Sequence, residues 1–118
     1  YENLLDAAIT YAEDKVTIPM SCAIEYEVDD THSFSKPSSC SLTADNFEVT
    51  VSDLISLGYF KDDAENVDKN GKVIVYKYKS KKSKSFLECY NSSGNFIDSS
   101  DCYNYDIKAY AKRSLVSN

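Results

Sequence analysis

The sequence predicts an α+β fold in which an N-terminal amphipathic helix packs on an antiparallel sheet of three to four strands. Three observations lead to this prediction: helically spaced apolar residues at the start, a short capped helix near residues 51–57, and alternating apolar residues after Gly71. A length of 118 residues is typical of one domain, so we assign residues 1–118 to a single domain.

The opening segment, residues 1–16, has the apolar spacing of an amphipathic helix. Its stripe consists of Tyr1, Leu5, Ala8 and Ala12, flanked by Leu4, Ile9 and Tyr11. No capping residue precedes the first turn, although the first N–H groups of a helix need partners. We therefore interpret the segment as the outer part of a longer helix. A frayed first helix of an ordinary domain is the alternative.

A polar segment separates this helix from the next one. Pro19 ends the first helix, because it has no N–H to donate and disfavours a helical residue before it. Residues 29–45 are rich in Ser, Thr and Asp, so we expect an exposed loop that is held through Cys40. A loop of this length in a compact domain is usually functional or serves as a binding surface.

The second helix is the best-specified element of the chain. Thr50 and Asp53 have the spacing of a capping box, in which each side chain binds an unpaired N–H of the first turn. Gly58 is expected to end the helix in the left-handed conformation, which costs glycine little. Tyr59 and Phe60 should then pack back on the helix.

Strands are predicted in the last third of the chain. A turn at residues 68–71 contains Asn-Gly, a strong hairpin signal, and leads into the first of them. Along that strand Ile74, Tyr76 and Tyr78 should face one side, and the alternating lysines the other. The predicted strands are 72–79, 86–90 and 105–111, with a turn at 80–85 and a loose tail from 112.

Four cysteines, Cys22, Cys40, Cys89 and Cys102, indicate two disulfides and an exported, extracellular protein. Structural zinc is disfavoured, because the gaps are long and no close Cys or His pair is present. Four cysteines allow three pairings. The local pairing joins Cys22 to Cys40 and Cys89 to Cys102, and the sequence leaves the choice open.

Charge is distributed unevenly along the chain. Residues 1–70 carry a net charge of −11 and residues 71–118 carry +5, which gives −6 in total. The basic residues are concentrated in a predicted hairpin that contains Lys77, Lys79, Lys81, Lys82 and Lys84. Edge strands often carry lysines that block aggregation, and the interleaved tyrosines should point into the core. We therefore expect no nucleic-acid partner.

Catalytic motifs are not evident in the sequence. The single histidine, His32, stands beside Ser33 and Ser35 in the polar loop. A catalytic dyad requires convergence in space and an oxyanion hole, and neighbours in sequence provide neither. Three glycines form no phosphate-binding loop. We expect no enzyme activity, no catalytic residue and no cofactor.

The turn before the first predicted strand has some features of a calcium site. Asn66, Asp68 and Asn70 offer oxygen ligands at alternate positions, and Gly71 matches the glycine of an EF-hand loop. The first ligand should be Asp, however, and the twelfth position holds Lys77 where Glu is required. We interpret the segment as a turn without a metal, with calcium as the open alternative.

These elements together resemble those of the type IV pilin-like proteins, and most of all the clostridial and other Gram-positive pilins and pseudopilins. The resemblance rests on Leu4-Leu5-x-x-Ala8 in the first helix and on Thr50-Val-Ser-Asp-Leu-Ile-Ser-Leu-Gly-Tyr-Phe-Lys61. The turn at residues 68–71 before a Val-rich strand also fits, so about half of the chain takes part. The apolar half-helix that characterises this family is missing from the sequence.

The resemblance implies a pilin-like fold and a structural role without catalysis. The chain would be the headgroup of a minor or major subunit of a type IV pilus or a type II secretion-like filament at the cell surface. It would serve adhesion, motility or surface assembly. Its partners would be other pilin subunits, and the membrane through the absent segment before assembly. The candidate interface residues are Leu4, Leu5, Ala8, Lys81, Lys82 and Lys84.

A second function class remains open on the same observations. The chain would then be a free-standing secreted binding module, such as an adhesin or an inhibitor, stabilised by its disulfides. It would act alone and form no filament.

Overall fold

Two α-helices and a three-stranded antiparallel sheet form the described part of the molecule, in agreement with the predicted α+β class. The computed structural model describes residues 1–61 and 66–116. Short 3₁₀ turns at Met20–Cys22, Ala44–Phe47, Leu87–Cys89, Ser100–Cys102 and Arg113–Leu115 connect the main elements. Those main elements, in chain order, are α1 (Glu2–Lys15), β1 (Glu48–Thr50), α2 (Val51–Ser56), β2 (Lys72–Lys81) and β3 (Tyr103–Tyr110).

The sheet has the order β1-β2-β3, with β2 in the centre. Val73 pairs with Val49 of β1, and Val75 pairs with Ala109 of β3. The predicted strand at 86–90 is wrong, because Leu87–Cys89 forms an exposed 3₁₀ turn closed by a disulfide. The third strand of the sheet is instead β1, which was not predicted because three residues are too few for an alternating pattern to be recognised.

One side of the sheet, the helix face, is covered by α1. Leu4, Ala8 and Ala12 are fully buried and share one core cluster with Val73 and Val75. They recur at every fourth residue, which aligns them on one side of a helix. Because two of the three are alanines, the helix backbone lies close to the strands. We attribute the stability of α1 to this contact, since no side chain caps its first turn.

The opposite side, the loop face, is covered by the segment that follows α1. The N–H of Ile24 donates to the C=O of Lys77 (3.0 Å), which attaches this segment to the side of β2 away from β3. Farther along, the N–H of Val28 donates to the buried hydroxyl of Tyr76 (3.0 Å). Ile24, Val28 and Tyr76 form a second apolar cluster. Both faces of β2 are therefore covered, but by different kinds of structure.

The predicted end signals of α2 are confirmed. The Thr50 hydroxyl accepts from the N–H of Asp53 (3.1 Å), which is the first half of the predicted capping box. Gly58 has a φ of 85°. The N–H of Tyr59 donates to the C=O of Leu54 (2.8 Å) and that of Gly58 to Ile55 (3.0 Å), the two bonds of a Schellman motif.

The turn before β2 holds the segment that follows β3. The N–H of Asp68 donates to the C=O of Leu115 (2.8 Å), and Val67 forms an isolated bridge with Val116. A Cβ on Gly71 would lie 2.4 Å from Cδ2 of Leu115, so a larger residue here would displace the Leu115 side chain. The prediction of a loose tail is therefore wrong for residues 113–116, and residues 117–118 lie outside the described part.

The sheet extends beyond the end of α1. Tyr1, which precedes α1, is bonded to Ala111, and Val16, which follows α1, belongs to the same apolar clusters as Ile107, so α1 runs along the part of β3 between Ala111 and Ile107. We call residues 79–105 the distal lobe; none of them belongs to the three apolar clusters. The molecule is elongated, with a longest extent of 56 Å. In the described residues, no helix has the length and apolar content that a membrane crossing requires.

Candidate functional site

The three predicted interface residues of α1 have different environments. Leu4 and Ala8 are fully buried in the protein's own core, so in the isolated chain they present no surface, and their role in an interface stays a prediction. Leu5 is partly exposed. The outward side of α1 is instead acidic, with exposed Glu2, Asp6, Glu13 and Asp14.

The three predicted lysines lie together at the far end of the molecule. Lys81 ends β2, Lys82 follows it, and Lys84 lies in the exposed turn beyond. The ammonium of Lys81 lies 4.9 Å from the ring centroid of Phe96, and that of Lys82 lies 5.1 Å from Phe86. Such stacking orders lysine side chains and leaves them charged. The distal lobe therefore presents fixed positive charges.

An aromatic stack lies beneath these lysines. Phe96 makes edge-to-face contacts with Tyr90 and Tyr103, each at 5.3 Å between ring centroids. The Tyr103 hydroxyl donates to Oδ1 of Asp98 (2.8 Å), and this bond raises the pKa of Tyr103. Lys79 lies 4.8 Å from the centroid of the Tyr103 ring. The stack gives the lobe a small aromatic interior in place of an aliphatic core.

Three large apolar side chains of the distal lobe face solvent. The exposed fractions are 46% for Phe86, 80% for Leu87 and 41% for Ile97. Sequence reasoning placed Phe86 and Leu87 in a strand and did not find this surface. The available signal was their position directly after a Ser- and Lys-rich turn, next to a cysteine in a loop too short to cover them. Exposed apolar side chains that cluster beside charged ones often mark interaction surfaces.

Both disulfides have the local pairing that the sequence left open. Cys22–Cys40 joins the segment after α1 to the polar loop, and Cys89–Cys102 closes the distal lobe. Their sequence separations are 18 and 13 residues. Loops of this size correspond to a stabilisation of about 3 kcal/mol each in the chain-entropy treatment.

A second surface feature, the edge groove, is a cleft of about 400 Å³ along the outer edge of β3. Its walls are Tyr1 and Leu5 of α1 on one side and residues 27–30 on the other, and residues 108–111 form its floor. Two polar contacts tie the loop wall to β3: Lys108 Nζ donates to Glu27, and the Tyr110 hydroxyl donates to Asp30. The latter bond raises the pKa of Tyr110 to about 12.

The single histidine lies in an exposed turn of the loop. Nδ1 of His32 lies 3.0 Å from the Thr31 hydroxyl and 3.4 Å from Oδ1 of Asp29. The same carboxylate accepts from the Thr31 hydroxyl and from the N–H groups of Thr31 and His32. These bonds lower the pKa of Asp29 to about 2. The arrangement stabilises a turn, and the neighbouring Ser33 and Ser35 make backbone contacts with the Tyr26 hydroxyl.

The candidate calcium ligands form a compact turn. Oδ1 of Asp68 accepts from the N–H of Asn70 (3.0 Å), and the N–H of Gly71 donates to the C=O of Asp68 (3.0 Å). Across residues 1–61 and 66–116, no three His, Cys, Asp or Glu side chains are grouped closely enough to hold a metal ion.

Comparison of the chain with protein-family models, curated proteins and solved structures finds no significant match.

Proposed function

We propose that this domain is the extracellular headgroup of a type IV pilin-like subunit, and that its role is structural. One observation carries the proposal: α1 lies along an antiparallel sheet with one face buried, while its acidic face and the basic distal lobe are exposed. A subunit of this kind needs a helix that is held by its own sheet and still presents a face to neighbours.

The residues that carry the family resemblance also act as one structural unit. Thr50 caps α2, Gly58 ends it, and Tyr59 and Phe60 pack against the same core cluster as α1. This block therefore supports α1 from the side. The two disulfides support a location outside the cytoplasm, because disulfides persist in oxidising compartments.

Opposite charges at two places on one subunit favour a head-to-tail contact. The acidic side of α1 carries Glu2, Asp6 and Glu13, whereas the distal lobe carries Lys81, Lys82 and Lys84. In a helical filament one surface of each subunit meets a different surface of its neighbour. Complementary charges at such a contact set the orientation and speed of association more than its affinity.

The test uses the full-length gene in its own cell. We expect the chain in the filament fraction sheared from the cell surface, and we expect K81E/K82E/K84E to be lost from that fraction. The control K81R/K82R/K84R keeps the charges and should assemble. Circular dichroism should show that the unmodified chain and both variants are folded. Normal assembly of the Glu variant would refute the charge contact, and absence of the unmodified chain from any filament would refute the pilin role.

The exposed apolar residues of the distal lobe favour a second candidate, a free-standing secreted binding module. Leu87 is 80% exposed, and Phe86 and Ile97 of the same lobe are also exposed, which suits contact with a partner surface. The sequence encoded upstream of Tyr1 separates the two candidates. A leader ending in Gly and an apolar run joined to Tyr1 support the pilin, whereas a secretory signal cleaved just before Tyr1 supports the free module.

A further inference from the structure

β3 is an edge strand, and the hydrogen bonds of β2 determine which of its backbone groups are unpaired. Ile24 lies on the side of β2 opposite β3, where its C=O accepts from the N–H of Lys79 (2.9 Å) and its N–H donates to Lys77 (3.0 Å). Odd-numbered residues of β2 therefore direct their backbone groups away from β3. The even-numbered residues bond to β3, as Lys82 does to the C=O of Cys102 (2.9 Å).

The alternating direction of the backbone N–H and C=O groups continues from β2 into β3. Even residues of β2 pair with even residues of β3, so Tyr105, Ile107 and Ala109 direct their N–H and C=O groups outward. In the described part of the chain, no hydrogen bond reaches these outward groups. Only at Ala111, just past the strand, is the edge closed, because the C=O accepts from the Tyr1 hydroxyl (2.6 Å). An open edge of this length is a template for another strand.

The edge groove gives that strand a place to lie. Its floor is the backbone of residues 108–111, and its walls rise on both faces of the sheet, from α1 and from residues 27–30. A chain in extended conformation can enter such a slot and add main-chain hydrogen bonds to the open edge. The occupant must itself present an unpaired strand edge, and β3 of a second copy does so.

We propose that the β3 edges of two copies of this chain pair antiparallel about a two-fold axis at Ile107, which joins their sheets into one. The contact is isologous, with the same surface on both copies. Seven of the eight residues of β3 find a partner within the other strand, with Tyr105 of one copy opposite Ala109 of the other. The outward backbone groups of Tyr105, Ile107 and Ala109 are all used.

Charge selects this register over its neighbours. With Ile107 on the axis, Asp106 of each copy lies opposite Lys108 of the other, on the loop face. These are non-hydrogen-bonded positions, where side chains come closest. The smallest shift that still matches the outward groups is two residues, and it places Asp106 opposite Asp106 or Lys108 opposite Lys108. Both shifts bring like charges together, so the register at Ile107 is favoured over both.

The two ionic partners are available for this contact. Asp106 is exposed, and its carboxylate has no hydrogen bond or ion pair among the described residues. Lys108 already donates to Glu27, but an ammonium has three donors and can serve a second carboxylate. The same pairing therefore adds Asp106 to an existing Glu27–Lys108 contact and does not replace it.

The pairing places the two helices end to end on one face of the joined sheet. Tyr1, just before α1, is bonded to Ala111, and Val16, just after it, belongs to the same apolar clusters as Ile107, so the C-terminal ends of the two helices meet near the axis. Each acidic α1 then lies beside the uncovered half of the other copy's β3, next to Lys79 and Lys81 on the helix face. The dimer thus opposes acidic and basic regions at two symmetric places. It goes beyond the pilin role and does not depend on it.

The first experiment measures self-association of the 118-residue chain by sedimentation from micromolar to millimolar concentration. We expect a concentration-dependent dimer. Asp106→Lys should weaken it roughly tenfold or more, because two attractive pairs become repulsive. The matched change Asp101→Lys, on an exposed residue two positions before β3 and outside the proposed pairing of residues 104–110, should have no such effect. An equimolar mixture of D106K and K108D should form a mixed dimer, because every facing pair is then opposite in charge.

The second experiment does not depend on whether the variants fold. Amide hydrogen exchange of the unmodified chain should show the N–H groups of Tyr105, Ile107 and Ala109 exchanging rapidly when dilute and becoming protected as concentration rises. The N–H groups of Asp106 and Lys108, already bonded to β2, should change little. A chain that stays monomeric at millimolar concentration overturns the proposal. A dimer that leaves the three outward amides unprotected, or that ignores the change at Asp106, overturns it as well.

Discussion

The two ends of the sheet are held together by different means. Where α1 covers the sheet, fully buried side chains such as Leu4, Val73 and Val75 pack in one cluster with α2. In the distal lobe only Cys89, Cys102 and Tyr103 are buried, and two of these form the disulfide. The covered end therefore derives its stability from apolar burial, and the distal lobe from a covalent bridge, strand pairing and stacked lysines.

This difference indicates a division of roles. A well-packed core tolerates little change in volume, so the covered end should be constrained in sequence by packing. A lobe that a disulfide holds together can expose Phe86, Leu87 and Ile97 without losing its shape. Surface chemistry can then vary in the distal lobe while the covered end keeps the fold. The predictions below test this contrast from the largest expected effect to the smallest.

Truncating a core residue of the covered end should have the largest effect. We expect Leu4→Ala to reduce the free energy of unfolding by about 3 kcal/mol, because Leu4 is fully buried and a cavity remains. The matched change Leu57→Ala, at a site 54% exposed, should cost less than about 0.5 kcal/mol. Denaturant titration measures both, and equal costs would contradict the assigned core.

Removing the distal disulfide should act locally. In C89S/C102S we expect the distal lobe to lose about 2–3 kcal/mol of local stability, because this bridge is its main constraint. Limited proteolysis should then cut between residues 83 and 101, while amides of α1 remain protected from exchange. C22S/C40S, the matched control, should not expose those sites. Simultaneous loss of protection in α1 and the lobe would show that the two ends unfold as one unit.

Gly58 at the covered end and Gly94 in the distal lobe allow the same backbone strain to be introduced into each region. Gly58 and Gly94 have φ values of 85° and 82°, and a Cβ on either would meet no atom within 4 Å. Alanine at a positive φ costs about 1 kcal/mol. We expect Gly58→Ala to lower global stability by that amount and Gly94→Ala to leave the main unfolding transition almost unchanged. Equal shifts in thermal melts would argue against an independent lobe.

Acid should loosen the turn that Asp29 holds on the loop face. The pKa of Asp29 is lowered from 3.8 to about 2 by hydrogen bonds from Thr31 and His32. The unfolded chain takes up this proton at a higher pH than the folded chain does. The stabilisation that ionised Asp29 gives is therefore complete above about pH 4 and is lost as the pH falls through about 2. NMR signals of Thr31 and His32 should shift over that range. In Asp29→Asn this pH dependence should disappear.

The covered end was largely predictable from sequence because its signals are local. The helical spacing of Leu4, Ala8 and Ala12, the Thr50 cap and the Gly58 end all act within a few residues. The alternating residues of β2 and β3 were also found, although β3 begins two residues earlier than predicted. β1 was missed because it exists only through its pairing with Val73, which sequence spacing does not reveal.

The distal lobe was less predictable because a tertiary constraint overrides its local pattern. The apolar run at 86–90 is typical of a strand, but the Cys89–Cys102 bridge draws it into a 3₁₀ turn and leaves Leu87 in solvent. The edge groove was not predicted either, since it arises where α1, residues 27–30 and β3 meet. Its charged residues are dispersed in sequence and come together only in the fold.

The attachment of Tyr1 has a mechanical consequence. Its hydroxyl is bonded to the C=O of Ala111 and its ring is stacked against Arg113 at 4.3 Å, so the start of α1 is tied to the end of the sheet opposite the distal lobe. Tension applied at Tyr1 along the helix axis would act in shear on the whole contact between α1 and the strands. The bond to Ala111, the stacking on Arg113 and the packing of α1 would have to break together. The Cys89–Cys102 bridge lies outside that load path. Its reduction should therefore leave the rupture force unchanged.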